Sequence, residues 1–501
     1  MKAVLIGIAI FLGAILLLIG GILAWGGIYQ DVYQYDAPEQ IQITPNQYGT
    51  ITAHGKALYD ENGNRFDIKG VNFGNLFIAE GWMTINSIGV SLNDDGSFKK
   101  VNEEGIVEEY EEIYQEEMDS LLYNDRKFTL EQIATLNDAY FNSYCTEADF
   151  EFIQSIGLNT IRLPMYYRNF LTTEYRYTKT DEELCAMDFD SIPLDFSKLD
   201  TFLEYAKAHD LKVIIDMHGV MGGQSGFEHC GTRDIDFWDN EDYIEFMCNL
   251  WRAIAEHYLY DADSTEDRSD LASTILAFDL VNEPTNRNEI GTGPKQWAVM
   301  DRMYDAIREV DQHHVISIEG VWFPVSLPSP EKYDWDNVLY QFHYYNWDWQ
   351  GTPNWLYYSF ICGFSSFVNF DVPKLIGEFN FFGDPTVWEE YLPLYDKMGW
   401  GWTIWSYKVI SVGWWDNSWG ILVQNLDLTN KDGQLNDNDP TNDNLKLDLR
   451  TASYEEILEA WSNQYSAVCG QEGVYTTRDG KGTTYSVLVK YFEKLAESKG
   501  K

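Results

Sequence analysis

The sequence predicts an α/β chain: a (β/α)8 (TIM) barrel with an acidic insertion after its first strand, preceded by one N-terminal transmembrane helix. Three observations carry that expectation. Residues 3–30 hold no charged side chain. Eight short apolar runs suited to buried parallel strands follow through the chain. Amphipathic stretches, several opening on a helix cap, separate most of them. Strand–helix alternation repeated eight times is the pattern of a closed barrel, and 501 residues are ample for one barrel with insertions.

The N-terminal run "VLIGIAIFLGAILLLIGGILAWGGIYQ" exceeds the roughly 7–15 apolar residues of a signal-peptide core and matches the about 20 that span a bilayer. Lys2 and the amino terminus precede it, while Asp31, Asp36 and Glu39 follow, which leaves a short cytoplasmic end and an exported body. Residues 1–30 are therefore expected to be an uncleaved signal anchor in the cell membrane, crossing once with the body outside. A cleaved signal and a secreted body is the alternative. Residues 31–50, with Pro38 and Pro45, read as a linker, and 51–501 as the barrel domain.

The expected strands are "FDIKGVN" (66–72), "LNTIRLP" (158–164), "LKVIIDMHG" (211–219), "ILAFDLVNE" (275–283), "HVISIEG" (314–320), "VLYQFHYY" (338–345), "PKLIGEF" (373–379) and "WGWTIWSY" (400–407). Between them "TEADFEFIQSIG" (146–157) opens on a Thr-x-x-Asp cap, and "WRAIAEHY" and "AVMDRMYDAIREVD" have helical spacing. The insertion, about residues 86–135, carries eleven acids and two lysines between Asn93 and Ser120, a composition expected of a solvated helix or loop. "NLDLTNKDGQLNDNDPTNDN" (425–444) reads as a loop. Thr429 and Lys431 stand where a Ca²⁺ loop needs oxygen ligands. "SYEEILEAW" (453–461) restarts a helix on a Ser-x-x-Glu box. No internal repeat and no separate carbohydrate-binding module stands out.

With 80 acids against 35 bases, a formal charge of −45, nucleic acid and polyanionic substrates are excluded as partners. Six cysteines without a C-x-x-C spacing allow 15 full pairings, and isolated buried thiols are the default. Neither His313-His314 nor His229-Cys230 has metal-ligand spacing, so no metal is expected, and no cofactor.

In a barrel of this kind, residues at the C-terminal ends of the strands converge on one face. Those ends carry Arg162, Asp216 with His218, Asn282 with Glu283, Glu319, His343 with Tyr345, Glu378, and Trp405. Two carboxylates flanking a bond are what glycoside hydrolysis requires, one protonated and one ionised. Glu283 and Glu378 end the fourth and seventh strands, and Arg162 and Tyr345 are suited to hold one of them ionised. Asp216 is expected to support His218, and Glu319 stays outside the catalytic pair. Trp347 in "NWDW" and Trp414 and Trp415 in "WWDNSW" lie just after strand ends and are candidate sugar platforms.

Leu-Val-Asn-Glu-Pro, Ile-Arg-Leu-Pro, Asp-Met-His-Gly, His-Tyr-Tyr, Ile-Gly-Glu-Phe and Trp-Thr-Ile-Trp-Ser-Tyr, each at a strand end, resemble glycoside hydrolase family 5, the cellulase family, over roughly residues 50–465. The resemblance implies a retaining mechanism on β-linked sugars, with Glu283 as general acid/base and Glu378 as nucleophile. It also implies that Arg162, His218, Asn282, His343, Tyr345 and Trp405 hold the attacked sugar. "DMHGVMGGQSGFEHCG" (216–231) is similar to a loop of the family's exo-β-1,3-glucanase branch. The expected substrate is a β-linked oligo- or polysaccharide, a β-glucan. A membrane-anchored transglycosylase, a glycolipid glycosidase and a non-catalytic carbohydrate-binding surface protein are the alternatives.

Overall fold

The computed structural model describes residues 2–87, 113–262, 267–285, 291–322, 326–346, 353–382, 385–411, 419–425, 447–463 and 484–499. Trp347, Trp414, Trp415, the 426–446 loop and most of the acidic run therefore lie outside the described residues.

All eight expected runs form strands: β1 (Lys69–Asn72), β2 (Thr160–Tyr166), β3 (Lys212–Gly219), β4 (Ile275–Asp279), β5 (Val315–Glu319), β6 (Val338–Tyr345), β7 (Lys374–Asn380) and β8 (Trp400–Ile404). Each pairs in parallel with the next and β8 pairs with β1, closing the barrel in sequence order. The register decides which polar residues become neighbours. Asn72 lies beside Arg162, Asp216 beside Asp279, Glu319 beside Gln341, and His343 beside Glu378. β4 stops at Asp279, short of the expected 283, yet the chain stays tied to the ring. The Leu280 amide donates to Ser317 O at 3.3 Å and that of Asn282 to Met217 O at 3.0 Å.

Besides three short helices (Gln115–Ser120, Thr173–Thr178 and Asp181–Cys185), the helices among the described residues are α1 (Lys2–Val32), α2 (Leu130–Tyr144), α3 (Glu147–Ser155), α4 (Ser197–Ala208), α5 (Glu241–His257), α6 (Pro294–Arg308), α7 (Asn354–Phe367), α8 (Pro385–Met398), α9 (Tyr454–Ser462) and α10 (Thr484–Lys499). The eightfold alternation fails once. Between β5 and β6 the described residues hold only the 3-10 turn Pro330–Lys332. Pro324, Pro328 and Pro330 fall within that connection, and proline both removes an amide donor and clashes with the preceding helical turn.

Residues 33–50 run as a strap bound to the barrel. Arg65 NH1 donates to Ala37 O and Tyr59 OH to Pro38 O. A hairpin of Thr52–His54 and Ala57–Tyr59 follows. Ile51 and Leu58 then pack with Ile68, Ile214, Leu276, Val315, Leu339 and Leu375 into one buried layer. The described end of the acidic insertion is not a solvated loop. Ile113, Met118 and Leu122 pack in a buried cluster with Leu449, Ile457 and Trp461, while Asp119 pairs with Arg176 at 2.7 Å and Glu117 with Arg233 at 2.6 Å. Apolar residues spaced among the acids supply the buried face that the charge count hides. The five described cysteines are free thiols.

One buried ion pair fixes the segment after β8. Lys408 Nζ lies 2.6 Å from Asp149 Oδ1 and donates to Tyr144 O at 2.6 Å, with both side chains at most 1% exposed. Asp149 also accepts from the Thr146 amide at 2.8 Å, completing the α3 cap, and from Tyr407 OH at 3.0 Å. Removing the carboxylate leaves a buried ammonium without its counter-charge, which costs about 3–5 kcal/mol. Asp149→Ala is therefore expected to lose that much in denaturant unfolding, and Asp149→Asn less, since an amide still accepts from Thr146 and Tyr407. A loss below about 1 kcal/mol, the range of exposed pairs, contradicts the assignment.

Candidate active site

Arg162 projects from β2 into the barrel and is fully buried. Its Nε donates to Asp279 Oδ2 at 2.9 Å and its NH1 to Glu378 Oε1 at 2.9 Å and Asn72 Oδ1 at 3.1 Å. NH2 donates to Asn282 Oδ1 at 2.8 Å and sits 3.0 Å from Asp216 Oδ1. From β2, one guanidinium thus orients residues of β1, β3, β4 with the segment after it, and β7. Such a fork suits several planar acceptors at once.

Glu378 takes its second contact from Tyr345, whose hydroxyl donates to Oε2 at 2.6 Å. Glu283 has a different environment. Its Oε1 lies 3.0 Å from His343 Nδ1 and its Oε2 lies 3.3 Å from His229 Nε2. A carboxylate oxygen of Glu283, one of Glu378 and a ring nitrogen of His343 all fall within 4.8 Å of one another. That spacing could also hold a cation, but the hydrogen bonds just described already engage those atoms. The Glu283 backbone is left-handed, φ +40°, in front of Pro284, a conformation that costs energy in a non-glycine residue. Glu319 holds it there, its Oε2 accepting from the Glu283 amide at 2.9 Å.

His218 lies 2.6 Å from Asp216 Oδ2 through Nδ1, the support expected of Asp216. Its ring stacks on Trp405 at 5.3 Å and 11°. Trp405 is itself buried, its amide donating to Phe379 O and the following peptide being cis. It joins Met83, Tyr345 and Val409 in a cluster edged by Trp322, Phe382 and Trp419. Tyr345 and Trp419 are 5.2 Å apart, and Phe382 and Trp419 4.7 Å.

The eight expected residues of the site, Arg162, His218, Asn282, Glu283, His343, Tyr345, Glu378 and Trp405, are all brought together. Sequence reasoning missed His229, Glu319 as the holder of Glu283, Gln341, which bridges Asp279 and Glu319, and the wall of Trp322, Phe382 and Trp419. Glu319 was visible as a polar strand end. His229 carried no signal, because a long loop returns it to Glu283.

Five carboxyls, those of Asp216, Asp279, Glu283, Glu319 and Glu378, surround a single guanidinium, and burial raises each above its ordinary range. Glu283 is pushed up to about 8, by burial first and then by the charge of Glu378. Arg162 and the Tyr345 hydroxyl oppose the rise at Glu378. Burial drives His218 and His229 down to about 3, and His343 well below its usual value, so the imidazoles are neutral. The pair is thus asymmetric: a proton resides more readily on Glu283 than on Glu378.

The model of the cellulase family (glycosyl hydrolase family 5) matches residues 123–411, more than half of the chain. The chain belongs to glycosyl hydrolase family 5. It is 30% identical over 214 residues to a β-xylosidase of Phanerodontia chrysosporium, covering 42% of this chain and 39% of that one. It is 29% identical over 240 residues to glucan 1,3-beta-glucosidase 2 of Wickerhamomyces anomalus, covering 47% of each. The matched part spans less than half the length of these relatives. Among solved structures, a β-glucanase of Saccharophagus degradans superposes with a TM-score of 0.42 at 15% identity, covering 85% of this chain and 98% of that one. Endo-glycoceramidase II of a Rhodococcus species superposes at 0.41 and 20%, covering 58% and 71%. At that level of superposition neither bears on any residue of the site.

Replacing Arg162 leaves carboxylates that only protons can neutralise. In Arg162→Met their folded-state pKa values rise further above the unfolded ones, so the folded form binds more protons and stability falls as pH rises. The expected loss is about 3–5 kcal/mol near pH 8 and smaller at pH 5. Thermal unfolding of both proteins across that range measures it; a pH-independent loss contradicts the charge argument.

Proposed function

We propose that this member of the family is a retaining glycoside hydrolase that cleaves β-glucosidic bonds in β-glucans, and that Glu283 and Glu378 carry the reaction. The observation that supports this reading best is the asymmetry of the two carboxyls at a separation suited to direct attack. Retaining enzymes hold their carboxyls about 5–5.5 Å apart, too close to admit the water an inverting enzyme uses. Glu378, held ionised by Arg162 and Tyr345, attacks the anomeric carbon while the protonated carboxyl of Glu283 gives its proton to the leaving oxygen. The glycosidic bond breaks and a glycosyl ester forms on Glu378. Water then gives a proton to Glu283 as its oxygen attacks the same carbon, and the ester bond breaks to release the sugar and restore Glu378. Asn282, oriented by Arg162, is suited to the 2-hydroxyl. His218, His343 and Trp405 are suited to hold the ring, and Trp347, Trp414 and Trp415 remain candidate sugar platforms.

The domain reading is a signal anchor at 1–30, a strap at 31–50, and a barrel domain at 51–501. α1 is long and apolar enough to cross a membrane, by length and composition. Trp25 Nε1 donates to Ser366 Oγ at 2.8 Å. Cleavage near residue 25–30 would discard that contact, which favours a retained single-pass anchor with the barrel outside over a secreted body. An anchor packed on the barrel keeps the site near lipid and so favours, as a second reading, hydrolysis or transfer of lipid-linked sugar. Product analysis with β-1,3-, β-1,4- and mixed-linkage glucans, a glycosylated lipid and an added acceptor separates these.

Chemical rescue tests the two roles. Glu378→Gly should abolish hydrolysis, and azide should restore turnover as the α-glycosyl azide. Glu283→Ala should spare substrates whose leaving group needs no protonation, and azide should then give the β-glycosyl azide. Proton NMR of the first product of the unmodified protein should show the β-anomer; an initial α-anomer would sink the mechanism.

The pH profile is a separate test. An acid must be protonated, so kcat/KM should fall as pH rises through about 8, the value at Glu283. With an activated aryl β-glucoside, Glu283→Ala should lose that limb, and a limb that survives the substitution assigns the acid elsewhere.

A further inference from the structure

The outer faces of the barrel helices differ in chemistry. α4 exposes Glu204 and Lys207, α5 exposes Glu241, Asp242, Glu245 and Glu256, and α6 exposes Lys295 and Asp305. α7 exposes Trp355 and Phe367, at 61% and 67%, with Leu356, Phe360 and Phe364 half-buried. Positions 356, 360, 364 and 367 fall on one helical stripe, and the rings of Phe360 and Phe364 lie 4.5 Å apart, tilted at 52°. No charged side chain occurs from 349 to 370, in a chain where 23% of residues are charged. Two exposed aromatics beside a half-buried apolar stripe, on a flank without charge, mark an interaction face.

The neighbour of that stripe is α1, the other long uncharged segment. The two helices meet through small residues. A Cβ on Gly26 would lie 1.6 Å from Ser359 O, and one on Gly363 would lie 2.5 Å from Ile22 O. Such contact is the usual close packing of helices in lipid, and it leaves no slack between α1 and the barrel. Trp25, Tyr29 and Tyr33 follow one another along α1 and the strap, with rings 6.3 and 5.0 Å apart. Trp and Tyr concentrate where a membrane meets water.

We propose that the α7 flank lies in the headgroup layer of a lipid bilayer beside α1, so that the barrel is seated on the membrane. This rests on reading α1 as a membrane anchor and adds to it a second, independent lipid contact. The net charge of −45 disfavours anionic lipid, so the surface is a zwitterionic one.

The full chain, reconstituted in phosphatidylcholine vesicles, tests this by photo-crosslinking. p-Benzoylphenylalanine replaces Leu16, Trp355, Phe367 or Lys207, one at a time. The probes at Trp355 and Phe367 exchange one large exposed aromatic for another and leave packing unchanged. Lipid adducts at 16, 355 and 367, exceeding that at 207 by roughly tenfold, are expected of bilayer-embedded positions. Adducts at 16 with none at 355 and 367 overturn the seated flank and leave the anchor standing. Crosslinks from 355 or 367 to a second copy of the chain, read as a dimer on a denaturing gel, likewise overturn it in favour of self-association. No lipid adduct at 16 overturns the anchor reading and the seated flank with it.

Discussion

A guanidinium buried without compensation is among the most expensive groups a barrel can enclose, and Arg162 is enclosed completely. Its burial demands acceptors on every side, and four other strands supply them. The dependence runs both ways. The carboxyls around Arg162 outnumber its single charge, and burial raises all of them, Asp216 and Asp279 in contact with it included. Of the two glutamates, Glu378 is the one in direct contact with the guanidinium, which favours its charge. Glu283, faced only by neutral imidazoles, is left as the carboxyl that holds a proton. The chemical difference between the two glutamates follows from where the single positive charge lies.

Precision in such a site requires that strand ends do not relax, and the chain holds them by contacts beyond the site itself. Glu319 fixes the left-handed turn at Glu283 from the next strand, and Gln341 links Glu319 to Asp279. After β8, Lys408 is locked to Asp149 at the start of α3, which leaves little freedom for the segment carrying Trp405. The described end of the acidic insertion adds a third brace, pairing Glu117 with Arg233 on the loop after β3 and Asp119 with Arg176 on the short helix after β2. Each support comes from an element distant in sequence, so errors of placement in one loop are corrected by another.

The outer surface divides as sharply as the interior. Charged helices surround most of the barrel, and one flank is aromatic and uncharged where α1 docks. Glycines in both helices bring the backbones into contact and make the N-terminal segment continuous with the folded body. On the function and membrane seat proposed above, the body would meet substrate at a membrane-bounded surface, which narrows the accessible sugars by geometry before any subsite chooses among them.

The eight strands were legible in the sequence because buried parallel strands are short apolar runs, and their polar ends stood out against that background. Glu283, Glu378, Arg162, His218, Asn282, His343, Tyr345 and Trp405 were legible for the same reason: barrel topology sends every strand end to one face, so position along a strand predicts convergence. The caps at Thr146 and Ser453 were legible because capping is local. Tertiary structure alone decided that Glu319 holds the Glu283 turn, that His229 returns to the site from a long loop, and that Lys408 and Asp149 pair within the core. It also decided that α7 rather than another helix receives α1. Those outcomes depend on register, loop path and helix contact, which arise from packing between segments far apart in the chain and leave no periodic trace in the sequence.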